Sequence, residues 1–456
     1  MIKLLREQKA YFDSGALRSV ETRKALLLLI EKTVRDHEQE WINALHADLR
    51  KPETEAYSGE VAFIYQEIRH TLKHLDRWAK VSKVSTPMPL WPGTSYILQE
   101  GRGVNLIISP WNYPKMLLLA PLISCLAAGN TAVLMPSDQA PATSALAERL
   151  IANYFDPKVV LTACGPGAEV FQQLTSDFRF DFIFFTGSIP VGRAIARKAA
   201  EQLIPVVLEL GGKSPCLVLD DAHVRIAAKR IAWGKFYNAG QTCVSPDYVL
   251  VDDRLKEELI EEIRKQVELF YGSDPKASPD YGRIINERQF QRLIGYLDQG
   301  KVRFGGSYDP AERFISPTLM EPDLPGNGLM NDEIFGPILP VIGMANEKQM
   351  LAFVAQNPNP LSCYVYSSNK QRALKLMQQI PFGGGIINHH LLHLANPDMP
   401  FGGLAASGMG RYHGKFGFDA FSHFKSVMYY PATWDLPLVY PPYTTLKNRL
   451  MRWILS

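Results

Sequence analysis

The sequence contains few cysteines, and no two of them lie at metal-binding spacing. Cys125, Cys164, Cys216, Cys243 and Cys363 are the only five among 456 residues, and none belongs to a Cys-x-x-Cys pair. This set argues against both a disulfide framework and a zinc site, so we expect no bound metal. Unpaired cysteines suit a reducing compartment, and we expect a cytoplasmic protein.

An excess of charge and a long apolar run are also missing. Lys and Arg total 49 against 46 for Asp and Glu, which leaves no broad basic surface for nucleic acid. No window approaches the ~18 uninterrupted apolar residues of a membrane-spanning helix. Residues 1–15 lack the apolar core and cleavage site of a signal peptide and are typical of a short amphipathic helix.

The chain does contain a regular alternation of short apolar strands and helices, over a length that suits two or three domains. Residues 19–50 and 53–82 have helical periodicity. The next segments predict strands at 104–109, 131–135, 159–164, 181–186 and 206–210, and helices at 114–128, 141–154 and 189–201. This alternation predicts an α/β protein with a parallel sheet covered on both faces.

A second α/β run extends from near residue 211 to about 420. Its predicted strands are 214–219, 247–251, 338–343 and 362–366, and its predicted helices are 222–235, 253–269, 287–298, 346–356 and 370–380. The segment 422–430 predicts one late strand. No solenoid repeat is visible.

Two strand ends of the first half carry residues suited to ligand binding. Asn112 follows the strand 104–109, at the end where α/β sheets bind ligands, and its amide could donate to an oxyanion. Taken alone, it is more typical of a turn asparagine. Gly187 ends the next such strand before a helix with Pro190 in its first turn, whose N–H groups can hold a pyrophosphate. A plain glycine turn is the alternative, because the full Gly-x-Gly-x-x-Gly pattern is missing.

Glu209 and Cys243 are the candidate base and nucleophile. Glu209 lies in an apolar run that ends at two glycines, and burial there would raise its pKa. Its alternative is an ordinary ion pair with Lys or Arg. Cys243 lies in a loop between a helix and a strand, where its thiol needs local help to react. For the other four cysteines we expect an inert, half-buried role.

In order and spacing, these segments resemble the aldehyde dehydrogenase superfamily over almost the whole chain. Glu209 and Cys243 lie 34 residues apart (243 − 209), as they do in that family. The run Glu333-Ile-Phe-Gly-Pro337 resembles the family's nicotinamide-ribose motif, and residues 388–411 resemble its substrate-channel segment. The runs 393–397 and 411–415 and the short N-terminus are similar to the class 3 branch, which acts on fatty and aromatic aldehydes.

The resemblance implies a fold and a division of the chain. It implies a Rossmann-like, parallel-sheet cofactor domain from 1–82 and 104–210, and an α/β catalytic domain from 211–420. A small β bridging element would combine 83–103 with 421–435, pair across subunits and make a homodimer by sheet extension, leaving 436–456 as a C-terminal tail.

The resemblance also implies the chemistry, which is NAD(P)-dependent oxidation of an aldehyde to a carboxylic acid. Cys243 would attack the aldehyde, and Asn112 with the Cys243 N–H would hold the oxyanion. Loss of hydride to the cofactor would leave a thioester, and Glu209 would activate the water that hydrolyses it. The residues implied to bind the cofactor are Ser109, Trp111, Met135, Ser137, Asp138, Thr186, Gly187, Ser188, Gly192, Leu210, Gly211, Glu333 and Phe335.

One departure from the family pattern bears on the cofactor. Relatives usually have Lys-Pro-Ser-Glu where this chain has Met135-Pro-Ser-Asp138. Met135 cannot pair with a 2′-phosphate, and the charge of Asp138 would repel one. We therefore expect NAD to be preferred, with NADP as the alternative.

On the substrate side, Tyr113, Trp233, Thr242 and Phe401 match channel positions of class 3 relatives. Aromatic walls favour apolar aldehydes, aromatic or of medium to long chain, although the same residues could belong to the core. The basic and apolar residues of the tail could form a small amphipathic helix. We expect it to pack on the protein or on a second subunit, with an anionic membrane surface as the alternative.

Three rival functions are open at this point. A CoA-acylating enzyme would resolve the thioester with a thiol, although Glu209 favours water. A catalytically silent binding protein would need none of Asn112, Glu209 and Cys243. A Cys–His hydrolase would need a partner such as His413, but no hydrolase signature surrounds Cys243.

Overall fold

The computed structural model describes residues 1–323 and 328–456. The helices in these residues are α1 (Ile2–Asp13), α2 (Val20–Asp36), α3 (Glu38–Leu49), α4 (Glu53–Ala56), α5 (Ala62–Trp78), α6 (Met116–Ala127), α7 (Pro141–Tyr154), α8 (Gly167–Ser176), α9 (Ile189–Glu201), α10 (Val224–Phe236), α11 (Lys256–Tyr271), α12 (Glu287–Ile294), α13 (Gly328–Asn331), α14 (Glu347–Val354), α15 (Lys370–Met377), α16 (Gly414–Ala420) and α17 (Thr445–Leu455). A π-helical turn, Tyr57–Val61, joins α4 to α5.

The strands of the same residues are β1 (Ser82–Val84), β2 (Thr94–Gly101), β3 (Val104–Ile108), β4 (Thr131–Met135), β5 (Val160–Thr162), β6 (Phe182–Gly187), β7 (Val206–Leu210), β8 (Pro215–Val218), β9 (Tyr248–Asp252), β10 (Gly300–Phe304), β11 (Tyr308–Asp309), β12 (Phe314–Ile315), β13 (Thr318–Pro322), β14 (Ile338–Met344), β15 (Ser362–Tyr366), β16 (Gly384–Ile387), β17 (Gly408–Met409) and β18 (Ser422–Tyr429).

The first sheet has six strands in the order β17-β7-β6-β3-β4-β5. All neighbours are parallel except β17, which pairs antiparallel with β7. Its apolar strands are buried because both faces are covered. Ile107 faces the core under α2, α5 and α6, while Leu106 and Ile108 face the core under α1, α8 and α9. The chain reverses its direction of growth between β3 and β6, the switch point where such sheets bind ligands.

The second sheet has seven strands in the order β10-β13-β14-β9-β8-β15-β16. It is parallel apart from β10 and has its own core, which includes residues of α10, α11, α14 and α15. The chain leaves the first sheet at Leu210 and enters the second at Pro215.

A third sheet, β1-β2-β18, lies outside these two cores. Strand β18 is antiparallel to β2, has one free edge, and is exposed on every residue after Ser422. Helix α17 has no buried residue. None of the helices in the described residues is long and apolar enough to cross a membrane.

The predicted α/β alternation and the parallel first sheet are confirmed, and the predicted strands lie within two residues of the observed ones. The prediction of two continuous helical segments was wrong. Residues 19–50 form two helices separated at His37, and residues 53–82 begin with α4 and the π turn before α5. The prediction missed β2, β10, β13, β16 and α8. Several of these have half-exposed or very short apolar patterns that periodicity does not separate from loops.

Candidate active site

The carboxyl ends of β3, β4, β6 and β7 meet along one edge of the first sheet. Strand pairing puts Ile108 beside Met135 and Phe185, and Thr186 beside Glu209. The loop that carries Cys243 comes from the second sheet, between α10 and β9, and lies against this edge. The candidate residues therefore reach one site from both sheets.

Asn112 is buried in the loop after β3. Its side-chain amide donates to the carbonyl oxygen of Gln241 at 3.0 Å, across to the loop of Cys243. Nδ2 carries a second hydrogen, and the described residues offer it no further acceptor. The side chain therefore joins the loop after β3 to the loop of Cys243 and keeps one N–H free to donate to a ligand. An isolated turn asparagine would do neither.

The backbone of Asn112 is also held. Its carbonyl oxygen accepts hydrogen bonds from Lys51 Nζ and from Asn238 Nδ2, both at 3.0 Å. Asn238 also donates to the carbonyl of Gln241 at 3.1 Å and has a left-handed backbone, with φ of 52°. Asn112 and the Cys243 loop thus share one network of hydrogen bonds.

Cys243 is half-buried, at the end of this network. Burial raises the pKa of its thiol to about 12, and the carboxyl groups of Glu333 and Glu209 act in the same direction. The N–H groups of Cys243 and Val244 oppose this rise. The raised pKa favours the protonated thiol at neutral pH, and both carboxyl groups lie within electrostatic range of it.

Glu209 lies on β7 with 2% of its surface exposed, and both carboxyl oxygens are without a hydrogen-bond partner among the described residues. Burial raises the pKa of this carboxyl well above its usual value. Within residues 1–323 and 328–456, Glu209 does not form the ordinary ion pair that the sequence left open. A buried carboxyl without partners is a candidate acid–base group.

Glu333 approaches the sheet edge from the second half of the chain. A Cβ added at Gly211 would collide with the Glu333 carboxyl, so the close approach requires glycine there. Burial raises the pKa of Glu333 to about 8. Phe335 follows in a left-handed conformation, with φ of 50°, and packs edge-on against Trp111 at 5.3 Å between ring centroids.

A buried ion pair holds the segment that carries Glu333. Lys213 Nζ pairs with Asp247 at 2.6 Å and donates to the carbonyls of Leu329 and Asp332 at 2.8 Å each. The other oxygen of Asp247 accepts from the N–H of Ile334 at 2.9 Å. Asp332 and Ile334, the residues on either side of Glu333, are therefore both bonded to this ion pair, which fixes the position of Glu333.

The remaining predicted cofactor residues line the same edge. Ser109 and Thr186 are buried, and their hydroxyl oxygens have no partner in the described part of the chain. Ser188 is the N-cap of α9, its side chain makes no capping bond, and Pro190 lies in the first turn. Gly192 packs so tightly on Leu210 that an added Cβ would lie 2.5 Å from its side chain.

Met135, Ser137 and Asp138 lie at the end of β4. Met135 is buried, whereas Asp138 is exposed and its carboxylate accepts from the N–H of Gly167 at 3.3 Å, at the start of α8. A second carboxylate oxygen accepts from the amide of Gln139 at 3.0 Å. The carboxylate of Asp138 therefore places a negative charge near the end of β4, on the edge of the first sheet that carries the site.

The predicted channel residues fall in different surroundings. Tyr113 and Thr242 are buried and joined by a hydroxyl–hydroxyl bond of 2.8 Å beside the nucleophile loop. Trp233 packs edge-on against Tyr237 and His389, at 5.5 and 5.6 Å. Phe401 is buried and stacks on His413 at 5.2 Å.

His413 is not a partner for the thiol. It is buried among aromatic rings, burial lowers its pKa to about 3, and no hydrogen bond joins it to Cys243 in the described residues. Cys125, Cys216 and Cys363 are buried and Cys164 is exposed, which corrects the half-buried position expected for all four. No group of three or more His, Cys, Asp or Glu side chains in those residues is arranged to hold a metal ion.

This geometry suits a dinucleotide and an electrophilic carbon together. Unpartnered hydroxyls, a helix N-terminus and two glycines line the switch point, and a thiol, an amide donor and a buried carboxyl lie beside it. The residues present therefore fit a nicotinamide dinucleotide.

Comparison with known proteins agrees with this geometry. The model of the aldehyde dehydrogenase family matches residues 3–427. The chain belongs to the aldehyde dehydrogenase family.

Curated relatives and solved structures narrow the comparison for this aldehyde dehydrogenase. It is 42% identical to 4,4′-diaponeurosporen-aldehyde dehydrogenase of Staphylococcus aureus, over 96% of this chain and 95% of that one. It is 40% identical to the dimeric NADP-preferring aldehyde dehydrogenase of Rattus norvegicus, over 91% and 92%. The substrate-bound state of AldH from Staphylococcus aureus superposes over 100% of both chains, with a TM-score of 0.97 and 40% identity. The expected fold and class 3 resemblance are confirmed, and the protein is an NAD(P)-dependent aldehyde dehydrogenase.

Sequence reasoning missed the residues that hold this aldehyde dehydrogenase's site together. Lys213 directly follows the two glycines after Glu209, and this position in the sequence could have indicated that it belongs to the site. Lys51 and Asn238 gave none, because a buried lysine or asparagine is not recognisable without its partner.

Proposed function

We propose that Cys243 is the nucleophile of this dehydrogenase, that Asn112 stabilises the oxyanion and that Glu209 activates water. The observation that carries the proposal is the convergence of these three side chains. Asn112 is bonded to the loop of Cys243, and the carboxyl group of Glu209 lies within electrostatic range of the thiol. Few structural roles require a thiol, a free amide donor and an unpartnered carboxyl in one place.

The first half-reaction forms and oxidises a thiohemiacetal. The sulfur of Cys243 loses its proton to water and bonds to the aldehyde carbon, and the carbonyl electron pair moves to oxygen. The amide of Asn112 and the N–H of Cys243 donate to that oxygen, which stabilises the charge that develops there. Hydride then leaves the carbon as the carbonyl re-forms, giving a thioester on Cys243. NAD(P), when bound, supplies the ring that accepts this hydride.

The second half-reaction hydrolyses the thioester. Glu209, once ionised, takes a proton from water, the water oxygen bonds to the carbonyl carbon, and the carbon–sulfur bond breaks to release the acid. A thiolate is a good leaving group, so the same atom suits both halves. Because burial raises the pKa of Glu209, loss of its proton limits the base form at neutral pH.

The cofactor would lie along the edge between β3 and β6. The support is the set of unpartnered hydroxyls of Ser109 and Thr186, the turn at Gly187 and Ser188, and the carboxyl of Glu333 against Gly211. These groups would bind and orient the dinucleotide. Asp138 and Met135 support a preference for NAD, although the rat relative is named as NADP-preferring.

The substrate would be an apolar aldehyde, aromatic or of medium to long chain. Trp233, with Tyr237 and His389 against it, supplies aromatic surface, and Phe401 adds to it. The relative from Staphylococcus aureus is named for 4,4′-diaponeurosporen-aldehyde.

The larger organisation is proposed on the same basis. The cofactor domain would comprise 1–82 and 104–210, the catalytic domain 211–420, and the bridging element 83–103 with 421–435. The three large sheets follow these ranges, except that β17 of the catalytic range joins the first sheet and β1 begins at Ser82. The active form would be a homodimer in the cytoplasm, and the tail 436–456 would pack on the dimer rather than on a membrane.

The test is an absorbance assay of cofactor reduction with a panel of aliphatic, aromatic and semialdehyde substrates, using NAD and NADP. We expect the highest kcat/KM with apolar aldehydes and NAD, and none with Cys243→Ala. Turnover by Cys243→Ala would reject the nucleophile. The best rates with short semialdehydes would reject the proposed substrate class. Faster turnover on adding CoA would favour the acylating alternative.

A further inference from the structure

A fully buried ion pair lies directly behind Asn112. Lys51 and Glu60 both have side chains with 0% exposure, and the ammonium of Lys51 pairs with the carboxylate of Glu60. Lys51 also donates to the carbonyl oxygen of Asn112 at 3.0 Å. Burying two charges costs free energy that their attraction often only offsets, so such a pair is weak evidence for a role in stability.

The backbone around Glu60 is unusual in a way that brings it to this place. Glu60 lies in the π-helical turn Tyr57–Val61, and such turns are rare and frequently lie at functional sites. Its second carboxylate oxygen accepts from the N–H groups of Lys115 and Met116, at 3.0 and 3.2 Å, where α6 begins. Glu60 therefore fixes Lys51 and the start of the helix that follows Asn112.

The orientation of the Asn112 amide depends on these contacts. Its peptide carbonyl is fixed by Lys51 and Asn238, and one side-chain N–H is fixed by the carbonyl of Gln241. With both ends of the residue held, the direction of the second side-chain N–H is determined. The ammonium of Lys51 also lies 4.1 Å from the ring centroid of Tyr113, the next residue along the chain.

We propose that Lys51, held by Glu60, is a positioning residue that aims the oxyanion donor Asn112. The inference rests on the proposed role of Asn112 and extends it to a pair that touches neither aldehyde nor cofactor. A donor displaced by about 1 Å can cost on the order of 100-fold in rate. Lys51 would therefore affect the chemical step only through Asn112.

A double-mutant cycle on the single-turnover rate of cofactor reduction tests this. The pair Lys51→Met with Glu60→Gln removes both charges together and so avoids an unpaired buried charge. We expect it to slow the reduction burst about 10- to 100-fold in the wild-type background. In the Asn112→Ala background we expect it to change the rate by less than about twofold, because the donor is already absent. Binding of NAD, followed by quenching of protein fluorescence, should be retained.

Arg23→Met is the matched control. Arg23 is another buried cation, and it donates to the carbonyl of Ala127 at 3.3 Å, at the opposite end of α6. We expect it to lower Tm and leave the burst rate within about twofold in both backgrounds. If the Lys51/Glu60 double variant does not fold, Lys51→Gln with Glu60→Gln is also free of buried charge and keeps a donor at position 51 and an acceptor for both α6 N–H groups. It should show a smaller loss with the same dependence on Asn112.

The outcomes separate this proposal from the function on which it rests. Equal fold losses with and without Asn112 would show a general structural effect and would overturn the positioning role. An unchanged burst in the charge-neutral pair would do the same. Loss of the burst in Cys243→Ala, together with an undiminished burst in Asn112→Ala, would leave the nucleophile in place but reject the oxyanion role, and the inference with it.

Discussion

At Cys243, the raised pKa of the thiol has a consequence for its reactivity in the free enzyme. Only the thiolate is alkylated, and with a pKa of about 12 its fraction grows about tenfold per pH unit below that value. We expect inactivation by iodoacetamide to accelerate about tenfold per unit from pH 7 to 10, without a plateau. Mass spectrometry should locate the label, since Cys164 is also exposed. A plateau below pH 9 would contradict the raised pKa of this thiol.

Glu209 should separate the two half-reactions. Glu209→Gln keeps the shape of the side chain but cannot take a proton from water, so we expect steady-state turnover to fall by about 10²- to 10⁴-fold. The first burst of reduced cofactor should survive, because it does not use the base. In the wild type, the raised pKa means that the base form increases with pH, so thioester hydrolysis should accelerate through neutral pH. Stopped-flow absorbance measures both phases, and loss of the burst itself would assign Glu209 to the earlier step.

Asp138 should set the cofactor preference through its charge. The exposed carboxylate would lie near the extra phosphate of NADP, and an exposed charge pair contributes up to ~1 kcal/mol. We expect the wild type to favour NAD in kcat/KM, and Asp138→Asn to narrow the NAD to NADP ratio by about fivefold or less. Equal kcat/KM for both cofactors in the wild type would remove the basis for this preference.

At the scale of elements, burial decided what could be predicted. Strands such as β3, β4 and β6 are buried on both faces and read as continuous apolar runs, so their positions followed from the sequence. Strand β2 is half-exposed along its length and has no such run. The break between α2 and α3 falls at His37, whose backbone leaves the helical region without a proline or glycine to mark it.

The segment around Glu333 should respond to the buried pair that holds it. Lys213→Met would remove three donated bonds, to Asp247 and to the carbonyls of Leu329 and Asp332. Since the buried charge of Asp247 would then lack its ion-pair partner, we pair the change with Asp247→Asn. We expect the KM for NAD to rise about tenfold, while the KM for the aldehyde changes less than about twofold. This is the pattern for losing an interaction with NAD that is equally strong in the ground state and in the transition state. A rise confined to the KM for the aldehyde would show that this segment acts on aldehyde binding and would contradict its proposed role in binding NAD.

At the scale of the whole molecule, the site combines parts that are distant in the chain. The triad of Asn112, Glu209 and Cys243 could be named in advance because the family resemblance fixes its order and spacing. The contacts that orient it join Lys51 to Asn112 and Asn112 to Gln241, at separations of 61 and 129 residues. The first pair meets where the N-terminal helices pack on the first sheet, and the second pair meets where the two large sheets contact each other, so no local pattern predicts either.

The free edge of β18 leads to a prediction about assembly. An eight-residue edge strand with exposed Phe424 and Met428 is a template for pairing with another chain, and a stable monomer would protect such an edge. We expect the wild type to have the mass of a dimer in size-exclusion chromatography with light scattering at micromolar concentration. Phe424→Lys with Met428→Lys should shift it to the monomer mass with little change in the far-ultraviolet dichroism.

Helix α17 provides the matched control for that experiment. Trp453 is 76% exposed and lies on a helix with no buried residue, so Trp453→Lys changes an equally prominent apolar side chain away from β18. If the dimer forms through sheet extension, this variant keeps the dimer mass. A wild-type monomer at every concentration, or a dimer lost with Trp453→Lys and kept with the β18 pair, would assign the exposed strand another role.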